Sequence, residues 1–244
     1  MIDAPESTGR VVGLSWEEFL DWMGDSWAPG EHLNLIAPTG KGKTTFLTQL
    51  LKLRNYVVAF DTKGGDRTLA STGWPRIPKW PPPKEIWRDI EEGNPVHLIL
   101  GKRLQRTDEY AGLLDMQRKA LDEIWTQGGW TVYLDELQML TDSRMGAAGG
   151  QVEFFLIGAR DRDISVVTGH QRTVRASVAA GDQASWVVAG VTRAREMQDD
   201  LADRCGRARH EFRGALMGLK AHCWIVVAPD PDLPLVVTSP PPMR

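Results

Sequence analysis

Residues 33–46 read Leu-Asn-Leu-Ile-Ala-Pro-Thr-Gly-Lys-Gly-Lys-Thr-Thr-Phe. The apolar run from Leu33 to Ala37 stops at Pro38, a glycine-bearing turn follows, and a helical pattern opens at Lys43. Strand, glycine turn and helix in that order form the architecture of a phosphate-binding loop. Gly40 and Gly42 permit backbone shapes that a β-carbon obstructs, so successive N–H groups can point at one anion. The helix that follows adds the positive end of its dipole. Lys43 is placed to reach the β- and γ-phosphates, and Thr44 to set its hydroxyl on Mg²⁺. The nucleotide-binding stretch is therefore Pro38, Thr39, Gly40, Lys41, Gly42, Lys43, Thr44 and Thr45. Ala37 stands where the usual pattern has its first glycine, a departure that leaves the lysine and the threonine in place.

A chain of 244 residues is long enough for one sizeable α/β core with small additions. Its formal net charge of −3 means that a nucleic-acid partner must be met by a local basic patch or by a ring of subunits. Two cysteines, Cys205 and Cys223, are too few for a disulfide framework and point to a reducing compartment. No apolar run approaches the ~20 residues that span a bilayer. The first residues lack a basic region followed by an apolar one. The expectation is a cytoplasmic protein with no membrane partner, in host cytoplasm if the source is viral.

The N-terminal segment, 1–30, is expected to begin loosely and to carry one short amphipathic helix. Ser15-Trp-Glu-Glu18 is a capping box, and Trp16, Phe19, Leu20 and Met23 share one helical face. Residues 31–228 hold the alternation of strand and helix. Apolar or β-branched runs at 56–60, 96–100, 131–134, 164–168, 185–189 and 223–228 read as strands, with helical stripes between several of them. Alternation of this kind makes a mainly parallel sheet with helices on both faces, and places a ligand at the carboxyl ends of its strands. The stretch 71–84, with five prolines, reads as an irregular surface insertion. The Pro-rich tail, 229–244, is expected to be largely unstructured at its end.

Asp135 ends the apolar strand that starts at Thr131 and can hold Mg²⁺ through water, opposite Thr44. Glu136, a second carboxylate beside it, can polarise a water for in-line attack on a γ-phosphate, which favours hydrolysis over transfer. Gln171 comes just after another apolar strand, where it can contact the γ-phosphate or the attacking water.

Four blocks then make a more specific pattern: Ala37 to Thr44, Phe60-Asp-Thr-Lys-Gly64, Tyr133-Leu-Asp-Glu136, and Ala159-Arg160 leading to Ile164 through Gln171-Arg172. In order and spacing they resemble the FtsK/HerA superfamily of RecA-like (ASCE) P-loop ATPases, over about residues 32 to 190. That superfamily includes DNA translocases, conjugative coupling proteins and viral packaging ATPases. The resemblance implies ATP and Mg²⁺ as ligands, with Lys43 and Thr44 on phosphate and metal, Asp135 as the metal-site acid, Glu136 as base and Gln171 as sensor. It puts Arg160 where an arginine reaches a neighbouring subunit's nucleotide, with Arg162 and Arg172 as competitors. It further implies a homo-oligomeric ring acting on DNA, double-stranded and without sequence preference, and a portal or other assembly partner. Asp163, His170 and Thr173 depart from the family's usual residues around the last strand.

Two other readings compete with a DNA motor. A small-molecule phosphotransferase would use the cluster Arg204, Arg207, Arg209 and Arg213 as a phosphate-clamping lid. A nucleotide-dependent regulatory module would hydrolyse slowly and signal by shape. The basic loops at Lys102-Arg103-Arg106 and at Arg144 are candidate DNA contacts. Cys205, His210, His222 and Cys223 fit no compact zinc spacing.

Overall fold

The computed structural model describes residues 11–135, 137, 149–171, 182–230 and 232–241. Its centre is one sheet of strands β1 (Val11–Leu14), β2 (His32–Ile36), β3 (Tyr56–Phe60), β4 (Arg76–Ile77), β5 (Val96–Leu100), β6 (Thr131–Asp135), β7 (Ser165–His170), β8 (Ala184–Gly190), β9 (Trp224–Val227) and β10 (Leu235–Thr238). Their spatial order is β1-β10-β9-β8-β2-β7-β6-β3-β5-β4. All pairings from β8 to β4 are parallel; only β9 runs against its neighbours. The expected mainly parallel sheet is thus observed.

Helices α1 (Trp16–Ser26), α2 (Lys43–Leu50), α3 (Arg67–Ala70), α4 (Lys84–Glu91), α5 (Tyr110–Gln127), α6 (Gly149–Gly158), α7 (Arg195–Arg204) and α8 (Arg209–Gly218) join these strands. Strand alternation explains how both faces are filled. Leu33, Leu35, Val57, Ala59 and Tyr133 pack with Trp16, Phe19, Phe46 and Leu47 of α1 and α2. Val58, Phe60, Val132 and Leu134 face the other way, onto Leu121 and Ile124 of α5 and Phe155 and Leu156 of α6. Ile36, Ala189 and Ile225 meet Leu201 of α7 and Phe212 of α8.

The capping box forms as read: Glu18 N donates to Ser15 Oγ at 3.2 Å, and Ser15 N to Glu18 Oε2 at 2.8 Å. The start of the chain corrects the sequence expectation. Val11–Leu14, within the stretch read as loose, pairs parallel with Leu235–Thr238 of the Pro-rich tail, whose last residues, 242–244, lie outside the described ones. β10 also pairs with β9, so Trp224–Val227 is followed by another strand. The physical reason is that Leu235 and Val236 are buried, which local composition rich in proline does not reveal. The proline stretch 71–84 is likewise anchored, since Trp80 stacks edge-on against Trp130 at 5.3 Å.

A chain ending at residue 232 loses β10 and the partner of β1. Burial of Leu235 and Val236 is worth roughly 3–6 kcal/mol, so the truncated chain is expected to melt about 10 °C lower. Calorimetry checks this, and an unchanged melting temperature would mean that β10 contributes nothing to the fold.

Candidate active site

Three central strands end together at the carboxyl end of the sheet. Ile36 lies opposite His170, and Asp135 lies opposite Gly169, so the carboxyl ends of β2, β7 and β6 are level. A backbone bond from Ala37 N to His170 O, 3.1 Å, carries the pairing into the phosphate loop. There Gly40 and Gly42 adopt φ of 76° and 85°, the left-handed region in which a β-carbon is strained. Gly42 is the residue before α2, so the amide groups of the helix start face the turn.

A cleft of about 320 Å³ opens over this loop, lined by Gly40, Gly42, Lys43, Thr44, Asp135 and Gln171 among others. Thr39 and Thr45 line it too, whereas Lys41 lines an adjoining pocket and Pro38 lines neither. Lys43 Nζ bonds to Ala37 O at 2.9 Å and to Pro38 O at 3.2 Å, which holds its ammonium over the loop. Thr39 Oγ1 donates to Gln171 Oε1 at 2.9 Å, so the sensor candidate is tied to the loop itself.

Asp135 is 3% exposed. Burial raises its carboxyl pKa on balance, and Lys63, with its ammonium 3.2 Å from Oδ2, opposes part of that rise. Oδ1 accepts from the Tyr133 hydroxyl at 3.1 Å, and Thr44 hydrogen-bonds the same hydroxyl. Thr44 and Asp135, on different elements, are therefore one tyrosine oxygen apart. A hydroxyl and a carboxylate are hard oxygen donors, and Mg²⁺ keeps several waters and needs few protein ligands. The pair fits Mg²⁺. Among the described residues no group of three or more His, Cys, Asp or Glu is placed to hold a metal ion.

Other residues come out differently. Glu136, Arg172 and Arg144 lie outside the described residues. Arg160 sits in the single turn Ala159–Arg162 ahead of β7, at the amino end of the strands. Its guanidinium donates to Ser185 Oγ, and its carbonyl lies against Gly30. It is not brought to the cleft of its own chain. Asp163 holds φ 55°, the left-handed shape that glycine takes easily and aspartate tolerates. β7 extends to His170, two residues beyond the expected strand.

The arginines read as a lid are placed away from the cleft. Arg204 pairs with Asp200 at 3.1 Å, Arg209 with Asp203 at 2.6 Å and Arg213 with Asp199, while Arg207 donates to Leu233 O at 2.5 Å. Each guanidinium is engaged by α7, α8 or the chain after them, and none of the four lines the cleft. Tyr133, Lys63 and His222 were missed as site residues. Tyr133 was within reach, since it shares a strand face with Asp135 two residues on. His222, with φ 62° and its ring near Lys41 O, is supplied by a turn remote in sequence.

No family profile and no curated protein matches the chain. Solved structures do. The genome packaging NTPase B204 of Sulfolobus turreted icosahedral virus 2 superposes with TM-score 0.59 at 12% identity, over 88% of this chain and 99% of that one. VirB4 of Thermoanaerobacter pseudethanolicus gives 0.56 at 11%, over 81% and 86%. The bacterial conjugative coupling protein TrwB gives 0.57 at 12%, over 89% and 86%.

Burial, with Arg204 and Lys43 nearby, pushes the His170 imidazole down to about 4. The folded chain thus takes up its proton later than the unfolded chain, whose imidazole titrates near ~6.5. The resulting stability is complete above pH ~6.5 and is lost as pH falls towards 4, by roughly 3 kcal/mol at most. His170→Leu should flatten that part of the stability curve, as denaturant melts at pH 7, 5.5 and 4.5 would show. An unchanged difference between pH 7 and 4.5 would contradict it.

The architecture shared with these three proteins is a RecA-like P-loop fold, and this chain has that fold.

Proposed function

We propose that the chain is an ATP-hydrolysing motor that translocates or packages DNA as a homo-oligomeric ring. The observation that carries it is the convergence of Lys43, Thr44, Asp135 and Gln171 on one cleft at the level ends of β2, β6 and β7. The solved likenesses add support, since B204 is described as a genome packaging NTPase and has been captured with AMPPCP and with ATP-gammaS.

The turn at Gly40 and Gly42 offers its amides to the phosphates, and Lys43 supplies a mobile positive charge there. Thr44 and Asp135 would hold Mg²⁺, which neutralises charge shared by the β- and γ-phosphates. Glu136, next in chain after Asp135, takes the proton of the attacking water. Gln171, tethered to Thr39, orients that water or registers the γ-phosphate. Arg160 completes the site from the next subunit. Its position at the amino ends of the strands, away from its own cleft, suits a head-to-tail contact between copies.

DNA contacts fall to the loop after β5. Leu104 N bonds to Gly64 O at 2.9 Å, so this loop lies over the turn at the cleft edge. Lys102 pairs loosely with half-buried Glu109 at 3.6 Å, and Arg106 with Asp108 at 2.7 Å on exposed groups, weak pairs that phosphates can displace. Duplex DNA held without sequence preference, and a portal or similar assembly partner, complete the reading.

Mixing variants tests it. Glu136→Gln should lower turnover by ~10²–10⁴-fold while keeping nucleotide binding. Arg160→Ala should lower it by up to ~10³–10⁵-fold, again with binding intact. Glu136→Gln subunits keep Arg160, and Arg160→Ala subunits keep Glu136. In an equimolar ring of head-to-tail contacts, roughly one interface in four has both groups intact, so activity should return towards a quarter of wild type. No rescue in mixtures shown by mass measurement to co-assemble would mean that Arg160 does not act in trans.

A further inference from the structure

The turn between β3 and α3 is held unusually firmly for a loop. Asp61 is 1% exposed, and its Oδ2 accepts from Arg76 Nη1 at 2.7 Å and from Asp66 N at 3.1 Å. Asp66 in turn accepts from Thr68 N at 2.8 Å and Leu69 N at 2.9 Å. Gly101 of the neighbouring strand end passes so close that an added β-carbon would stand 3.0 Å from Asp61 Cβ. Both ends of the turn are thereby fixed, and Thr62 and Lys63 are carried between them.

Those two residues grip the end of β6. Thr62 Oγ1 donates to the Asp135 carbonyl at 2.6 Å, and Lys63 Nζ lies 3.2 Å from Asp135 Oδ2 and 3.9 Å from Asp66 Oδ2. The lysine lines the same cleft as Lys43, Thr44 and Gln171, with 40% of its side chain exposed to it and to solvent. Its ammonium therefore sits on one oxygen of the carboxylate that would hold the metal.

A nucleoside triphosphate brings about one more negative charge than a diphosphate, and it brings it at the γ position. Among the described residues that line the cleft, Lys43 and Lys63 are the cations of the phosphate side and Asp135 is the acid. Mg²⁺ on Asp135 would repel the ammonium beside it, and a lysine is a point charge on a flexible stem that can turn to a phosphate oxygen within reach. We propose that Lys63 is a second phosphate-binding cation of this cleft: it passes from Asp135 to the γ-phosphate, and it makes the site prefer triphosphate over diphosphate. The inference rests on the nucleotide-binding reading above and adds to it the residue that distinguishes ATP from ADP.

The experiment compares wild type, Lys63→Met and Lys63→Arg in direct binding by calorimetry with AMPPCP and with ADP, Mg²⁺ present. Lys63→Met is expected to weaken AMPPCP ~10-fold, or about 1.4 kcal/mol, while ADP changes less than ~2-fold. Lys63→Arg, which keeps the charge, should retain most of the preference. Unaltered melting of Lys63→Met, monitored by circular dichroism, shows that it is folded. Equal weakening of both nucleotides would mean that Lys63 only orients Asp135, and no weakening of either would mean that it takes no part. Either result overturns the role of Lys63 and leaves the nucleotide site standing. A wild-type chain that binds neither nucleotide would overturn the site and this inference together.

Discussion

The register of β2, β7 and β6 governs the rest of the molecule. Parallel strands cannot be tied by a tight turn, so their ends are levelled only by ladder bonds and by what packs on their faces. Here Ile36 opposes His170 and Asp135 opposes Gly169. A slip of one residue would turn Tyr133 and Asp135 to the other face of the sheet, away from α2. The apolar face that prevents the slip includes Leu33, Leu35, Tyr133 and Val167 packed on Phe46 and Leu47. The helix proposed to receive phosphate is thus also the helix that fixes where the acid points.

Charge at the site is arranged around one buried carboxylate. Burial alone would push Asp135 towards its neutral form, which could not serve a metal. Lys63 counters that, and the Tyr133 hydroxyl supports the other oxygen. Elsewhere Arg213, Arg204 and Arg209 are matched to Asp199, Asp200 and Asp203 in turn. A basic stretch in sequence is therefore not a basic surface in space. The loop after β5 also carries surface cations, Lys102 and Arg106, paired with Glu109 and Asp108.

The phosphate loop was legible in the sequence because each of its residues has a local cause: left-handed turns need glycine, a helix start needs open amides, and an apolar run precedes both. Asp135 was legible for the same reason, as the polar end of a buried strand. Arg204 and Asp200 could have been paired from their helical spacing, whereas Arg209 with Asp203 and Arg213 with Asp199 depend on how two helices meet. The part played by Lys63 needs β3 beside β6, and that of His222 needs the turn before β9 beside Lys41. β10 was hidden because a four-residue strand among prolines gains its stability from β9 and β1, both distant in sequence.

That this cleft hydrolyses ATP to drive DNA is the central claim. The most direct measurement is ATP turnover with Mg²⁺, with and without duplex DNA, across a salt series, with the oligomeric mass taken on the same sample and Lys43→Ala as the blank. DNA is predicted to raise turnover, and the stimulation should collapse by orders of magnitude in DNA affinity between ~50 and ~200 mM salt, as contacts to phosphates require. Turnover indifferent to DNA at low salt across protein concentrations, or a Lys43→Ala variant as active as wild type, would contradict it.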